Sequence, residues 1–192
     1  MVAMTDTVLP DDRPLTVDDL DLLPDDGNRY ELDDGLLVVS PSPALKHQLV
    51  LHRLSVTLDK ACPPSLAVLP GLGVEMSRIQ YRVPDLIVVE FSDVDFEDKT
   101  ATKPPLLAIE VASPSTAIYD RNRKKDVYQG FGIESYWIVR PELDNPIITA
   151  FELAGREYRM VAEVSGEDVF RAVKPFVCEI VPAALVSGPW RA

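Results

Sequence analysis

The chain has 192 residues, 46% of them hydrophobic and 26% charged, with a formal net charge of −12. That length suits one globular domain burying roughly two-thirds of its unfolded surface, and no apolar run approaches the roughly eighteen residues of a membrane helix. The acidic excess argues against a broadly phosphate-binding surface, but it is uneven: in residues 1–36 eleven Asp or Glu against Arg13 and Arg29 make a net of −9, which leaves −3 for the rest of the chain and its basic run RNRKK at 121–125. A single domain over 1–192 is expected, with residues 1–14 as a flexible lead. MVAMTDTVLPDDRP has no basic stretch followed by an apolar one, so the expected location is cytoplasmic. Cys62 and Cys178 lack a CxxC spacing or a neighbouring His, which points to neither zinc nor a structural disulfide.

In chain order, Thr16 and Asp19 form a capping-box pattern for a short helix through LTVDDLDLL, which Pro24 to Gly27 ends. RYELDDGLLVVSPSP predicts a hairpin turning at Asp33, Asp34 and Gly35. ALKHQLVLHRLSVTLDKA is helical, with His47, Leu51, Leu54 and Leu58 on one stripe and Leu45, Leu49, His52 and Val56 on another. After CPPS come three strand candidates, SLAVLPGLGVEMS, YRVPDLIVVE and PPLLAIEVAS. The last two are apolar at both parities and so are expected to be covered on both faces. IYDRNRKKDVYQGFG reads as a helix stopped by Gly132, SYWIVRP as a buried strand, and PIITAFELAGREYRMVAEV with VFRAVKPFVCEIVPAAL as further strands turning at Ala154 and Gly155. The expected fold class is α/β, an α+β mixed sheet in one layer with helices against it.

Two carboxylates break this pattern. Asp85 interrupts the run from Val83 to Val89, and Glu110 interrupts LLAIEVAS. A carboxylate inside a strand covered on both faces costs several kcal/mol unless it is paired, neutral or bound to a cation. Two of them on adjacent strands would repel, which Mg²⁺ or Mn²⁺ relieves by taking hard oxygen ligands and keeping positions for water and a phosphate. Structural ion pairs are the alternative. In the helix that follows, Asp120, Lys124, Val127 or Tyr128, and Phe131 recur at steps of three and four and share a face. Lys124 should therefore point inward, unless it only snorkels at the edge of the stripe, while Lys125 lies about 100° away and should face solvent.

The segments YELDDGLLVVSPSP, KHQLVLHRL, VPDLIVV and IEVASPST, then Asp120, Lys124 and Tyr128 at steps of four, and GIESYWIV resemble, in that order, the Uma-two family of restriction-endonuclease-like proteins in the PD-(D/E)XK nuclease superfamily. The resemblance runs from about Leu15 to Val139. It implies a restriction-endonuclease-like core with an N-terminal helix and hairpin and extra C-terminal strands. It places the PD aspartate on Asp85 and the second acid on Glu110. Two residues later stands Ala112, where the superfamily usually has lysine; the resemblance moves that role to the next helix, at Lys124. Glu31 matches a family acid that could complete a metal shell. His47 matches a family histidine, with a hydrogen-bonding core role as its alternative.

The implied activity is a metal-dependent endonuclease acting on nucleic acid, DNA in the first instance. Asp85, Glu110 and the Val111 carbonyl would bind Mg²⁺ or Mn²⁺ and Lys124 would orient or stabilise charge. Arg121, Arg123 and Lys125 would contact the nucleic-acid backbone, although a solvated helix face explains such a run equally well. The alternative function keeps the fold without the chemistry: a catalytically silent binding or regulatory protein. A homodimer is an expected assembly for either.

Overall fold

The computed structural model describes residues 9–95, 97, 99–112 and 118–188, the side chains of 118–121 excepted. Asp120 and Arg121, both given roles above, therefore have side chains outside the described residues. The chain begins with α1 (Val17–Leu20), where the Asp19 carboxylate accepts the Thr16 amide at 2.7 Å as the capping pattern requires. The hairpin β1 (Arg29–Asp33) and β2 (Leu36–Ser40) follows, and its turn holds Asp34 at φ 51° and Gly35 at φ 79°. Two consecutive positive φ angles are what a two-residue hairpin turn of this hand needs. A Cβ on Gly35 would also lie 2.4 Å from the Pro14 Cβ, so only glycine fits.

Helix α2 (Leu45–Ala61) buries Val50, Leu54 and Leu58, close to the first of the two stripes; Leu45 and Val56 from the other stripe are exposed. The next two strand candidates each split. SLAVLPGLGVEMS becomes β3 (Leu66–Pro70) and β4 (Gly73–Ser77), separated at Gly71, whose φ of 68° is a left-handed corner. YRVPDLIVVE becomes β5 (Gln80–Arg82) and β6 (Leu86–Glu90), separated by Val83-Pro84-Asp85. A 3₁₀ turn (Phe91–Asp93) and β7 (Thr100–Ala101) lead to β8 (Leu107–Val111). Then come α3 (Ile118–Phe131), β9 (Ser135–Arg140), β10 (Ile147–Ala154) and β11 (Glu157–Ser165). β12 (Phe170–Ala172), β13 (Cys178–Ile180) and α4 (Pro182–Val186) close the chain. The last of these replaces part of an expected strand, because Pro182 opens a helical turn readily.

These splits overturn the single-layer expectation. The strands form a five-stranded sheet in the order β2-β1-β5-β4-β7, a six-stranded sheet β11-β10-β9-β8-β6-β3 and the pair β12-β13. The chain leaves the larger sheet at the Gly71 corner and returns to it at Asp85. In the larger sheet β6 and β8 are antiparallel, with Leu86 opposite Ile109, while β8 and β9 are parallel and joined through α3.

The apolar runs are continuous because both faces are covered. On one face Leu86, Val88, Leu107, Ile109 and Val111 pack with Val50, Leu54 and Leu58 of α2 and with Trp137, Phe170 and Leu185. On the other, Ile87, Val89, Ala108 and Tyr136 meet Tyr128 of α3, Ile133, Tyr158 and Val74 of the smaller sheet. Each fully buried leucine or isoleucine contributes about 1.5–3 kcal/mol. The α3 face of the larger sheet is the one that Glu110 shares by alternation with Ala108.

Candidate active site

The register of β6 and β8 builds the site. One step beyond the Leu86–Ile109 pair, Asp85 and Glu110 stand opposite each other at one end of the sheet. Glu110 lies on the Ala108 side by alternation, while Asp85 stands immediately before the first residue of β6. The two acids thus meet at one end of the β6–β8 pair, Glu110 from within β8 and Asp85 from the residue that leads into β6.

Asp85 is 2% exposed, and all of its described polar contacts come from different parts of the chain. Its Oδ2 accepts the Val111 amide at 2.8 Å, so the main chain beside Glu110 fixes the carboxylate plane. Its Oδ1 accepts Arg29 Nη1 from β1 at 2.8 Å. His47 Nε2, at the start of α2, comes within 3.2 Å of the same Oδ1. The angle at that contact is poor for a hydrogen bond, so the ring acts on the carboxylate chiefly as a close electrostatic partner. Burial alone would raise the Asp85 pKa, but His47, Arg29 and the Val111 amide hold it below the usual carboxylate range.

Glu110 is held from α3. Lys124 Nζ lies 3.0 Å from Oε2, and the Tyr128 hydroxyl donates to Oε1 at 2.5 Å. The four-residue step between Lys124 and Tyr128 places both on the sheet-facing stripe. With Lys124 at 13% side-chain exposure, the expected helix phase is correct. Burial pushes the Glu110 pKa up to about 7, against the lowering effect of Lys124, with the nearby anions Asp85 and Glu31 adding to the rise. Burial, together with Glu110 and Glu31, likewise carries the Tyr128 hydroxyl well above its ordinary range, so it stays a proton donor.

Glu31 comes to the same region from β1 but faces inward protein groups. Its Oε1 accepts the Val83 amide at 2.8 Å and its Oε2 lies 3.4 Å from Arg82. Arg82 is itself buried and reaches Asp33 at 2.8 Å.

Of the basic run on α3, Arg123, Lys124 and Lys125 are engaged within the protein. Arg123 grips Asp33 with Nε and Nη2 and also pairs with Asp34 in the hairpin turn. Lys125 does not simply face solvent as expected; its ammonium lies 4.2 Å from the centre of the Phe151 ring, a cation–π contact. Val111 enters the site through its amide nitrogen, a role distinct from the carbonyl ligand expected of it.

Two contributors were missed in the sequence. Arg29 carried no signal, because an arginine opening a hairpin strand is ordinary and its partner is 56 positions away. The Arg82–Glu31–Asp33 cluster could have been suspected from an arginine at a strand end beside an apolar run. Among the described residues no three or more His, Cys, Asp or Glu side chains converge closely enough to enclose a metal ion by themselves.

Comparison with known proteins follows the same lines. A crystal structure of a protein described as a putative nuclease belonging to DUF820, from Anabaena variabilis ATCC 29413, superposes with a TM-score of 0.72 over 90% of this chain and 98% of that one. The two are 16% identical, so the likeness is one of fold. No curated protein matched. The model of the Uma2 family, described as "Putative restriction endonuclease", matches residues 17–181, and the chain belongs to that family.

Proposed function

We propose that the protein is a divalent-metal-dependent nuclease that hydrolyses phosphodiester bonds, with DNA as its substrate. The observation that carries this reading is the meeting of Asp85, Glu110 and Lys124, supplied by the residue leading into β6, by β8 and by the helix that follows. The donor chemistry fits a hard cation: Mg²⁺ is commonly held by one or two carboxylates and completes its shell with water and substrate phosphate. His47 Nε2, 3.2 Å from Asp85 Oδ1, is a further polar atom on that side of the site.

Asp85 and Glu110 would hold Mg²⁺ or Mn²⁺, with the Val111 carbonyl as the third oxygen that the family pattern implies. A bound ion of this kind supplies Lewis acidity toward a phosphate oxygen and lowers the pKa of a bound water. The protein's own part is positional. The Val111 amide sets the plane of Asp85, and Tyr128 fixes one oxygen of Glu110. Lys124, anchored on the other, presents a fixed positive charge where a pentacovalent phosphate would gather negative charge. His47 lines the Asp85 side. Nucleic-acid contacts by Arg121, Arg123 and Lys125 belong to this reading as backbone-positioning charges; Arg123 would have to share its guanidinium with Asp33.

One observation favours the alternative, a catalytically silent binding protein. Each acid already has a protein cation: Arg29 at Asp85, Lys124 at Glu110 and Arg82 at Glu31. Incubating the purified protein with supercoiled and single-stranded DNA in Mg²⁺ or Mn²⁺ separates the two. Nicking that disappears in Glu110→Ala and falls at least about a hundredfold in Lys124→Ala is the expected result, the size typical of removing a charge-stabilising group. Absence of cleavage, with intact DNA bound instead, would select the silent protein.

A further inference from the structure

Arg29 has no part in the family pattern carried by Asp85, Glu110 and Lys124, yet it occupies the centre of the site's electrostatics. Its guanidinium touches Asp85 at 2.8 Å, is anchored by the Val83 carbonyl at 3.1 Å and feels the charges of Glu110 and Glu31 as well. It thus stands where three carboxylates want a cation. It also holds a particular atom. Asp85 Oδ2 is committed to the Val111 amide, so Oδ1 is the oxygen left for an ion, and that is the oxygen Arg29 grips.

From this arrangement, and resting on the nuclease reading above, we infer that Arg29 is a resident counter-ion that a divalent cation must displace from Asp85 Oδ1 before the site is loaded. The physical reasoning is a competition. A guanidinium carries one positive charge spread over three nitrogens, whereas Mg²⁺ or Mn²⁺ carries two at the much shorter range of a metal–oxygen bond. The ion wins at sufficient concentration, and until then Arg29, with His47 3.2 Å from the same oxygen, keeps Asp85 from being a buried, unpaired charge, which would cost several kcal/mol. The side chain has room to move, with a quarter of its surface exposed, whereas Asp85 is nearly fully buried and held by the Val111 amide. Arg29 is a positioning residue, since its effect runs through Asp85.

The test is Mn²⁺ binding measured by titration calorimetry on the full chain, with no nucleic acid present. Arg29→Gln should bind the ion at least about tenfold more tightly than wild type, because the competitor is gone. Its metal-free melting temperature should fall and should gain more from Mn²⁺ than wild type does. Arg29→Lys, which keeps a competing charge, should bind with an affinity close to wild type. A second measurement needs no variant: in wild type the Arg29 Nε–Hε resonance should shift on Mg²⁺ titration with the midpoint found by calorimetry. Equal or weaker Mn²⁺ binding by Arg29→Gln, or a resonance that stays still while the ion binds, overturns the displacement and leaves the nuclease reading in place. Failure of wild type and both variants to bind either ion overturns the nuclease reading together with this inference.

Discussion

At the scale of single residues, Glu110 is governed by its two side-chain partners and by burial. The Tyr128 hydroxyl and the Lys124 ammonium each take one oxygen, and burial opposes the charge that both of them favour. Tyr128→Phe keeps the ring, which packs edge-on against Tyr136 at 5.2 Å, and deletes only the donor. The expected cost is about 1.5–3 kcal/mol, the range for losing a hydrogen bond to a charged group, read as a lower urea midpoint with an unchanged slope.

The raised pKa of Glu110 also has a pH signature. A carboxyl with an ordinary value of 4.5 and a folded value of about 7 binds more protons folded than unfolded across that interval. Its contribution therefore favours the fold at the acid end and declines as pH rises through the window. Asp85 acts in the opposite sense, because its pKa is lowered on folding: its contribution is present above the ordinary value of 3.8 and is lost as pH falls. Urea denaturation of metal-free wild type at about pH 5 and about pH 7.5 should show the Glu110 decline, and Glu110→Gln should flatten it. A variant with the wild-type slope would assign the decline to other groups.

At the scale of elements, α3 does two things at once. Its inner stripe presents Lys124 and Tyr128 to the sheet, and its next residue back, Arg123, ties it to the β1–β2 hairpin through Asp33 and Asp34. The pair is partly exposed, at 34% and 23%, so it belongs with surface ion pairs strengthened by bidentate geometry. A double-mutant cycle of Arg123→Ala and Asp33→Ala should return a coupling of about 0.5–1 kcal/mol. A coupling near zero would mean that the hairpin and α3 are held by packing alone.

Much of α3 and of the acidic pair was legible beforehand, for a stated reason: a charge in an apolar run, or a lysine on an apolar stripe, contradicts its surroundings and so announces itself. Asp85, Glu110 and Lys124 are of that kind. Arg29 and His47 contradict nothing locally, and only the folded chain brings them to Asp85. The separation of the five-stranded from the six-stranded sheet is hidden when SLAVLPGLGVEMS and YRVPDLIVVE are each read as one strand. Pro70-Gly71 and Val83-Pro84-Asp85 are turn sequences, and giving them weight would have split both runs at the corners the structure uses.

At the scale of the whole molecule, the antiparallel pairing of β6 with β8 has an architectural outcome. Asp85 precedes the first residue of β6 and Glu110 is next to last in β8, so the connection from Phe91 to Leu106 joins the strands at their other ends. Five residues of strand put that connection about 17 Å from the acids. It is therefore a place where the chain can grow without disturbing the chemistry: lengthening a surface loop twofold costs only about 0.6 kcal/mol of closure entropy. A short Gly-Ser insertion beside the exposed Glu97 should leave Mn²⁺ affinity unchanged and lower stability by less than about 1 kcal/mol, as calorimetry and urea denaturation would report. Loss of ion binding would show that the connection braces the sheet end to end. With binding retained, lineages of this fold could gain or lose whole modules at that connection, and a recognition domain grafted there would choose where the molecule goes while the carboxylates stay as they are.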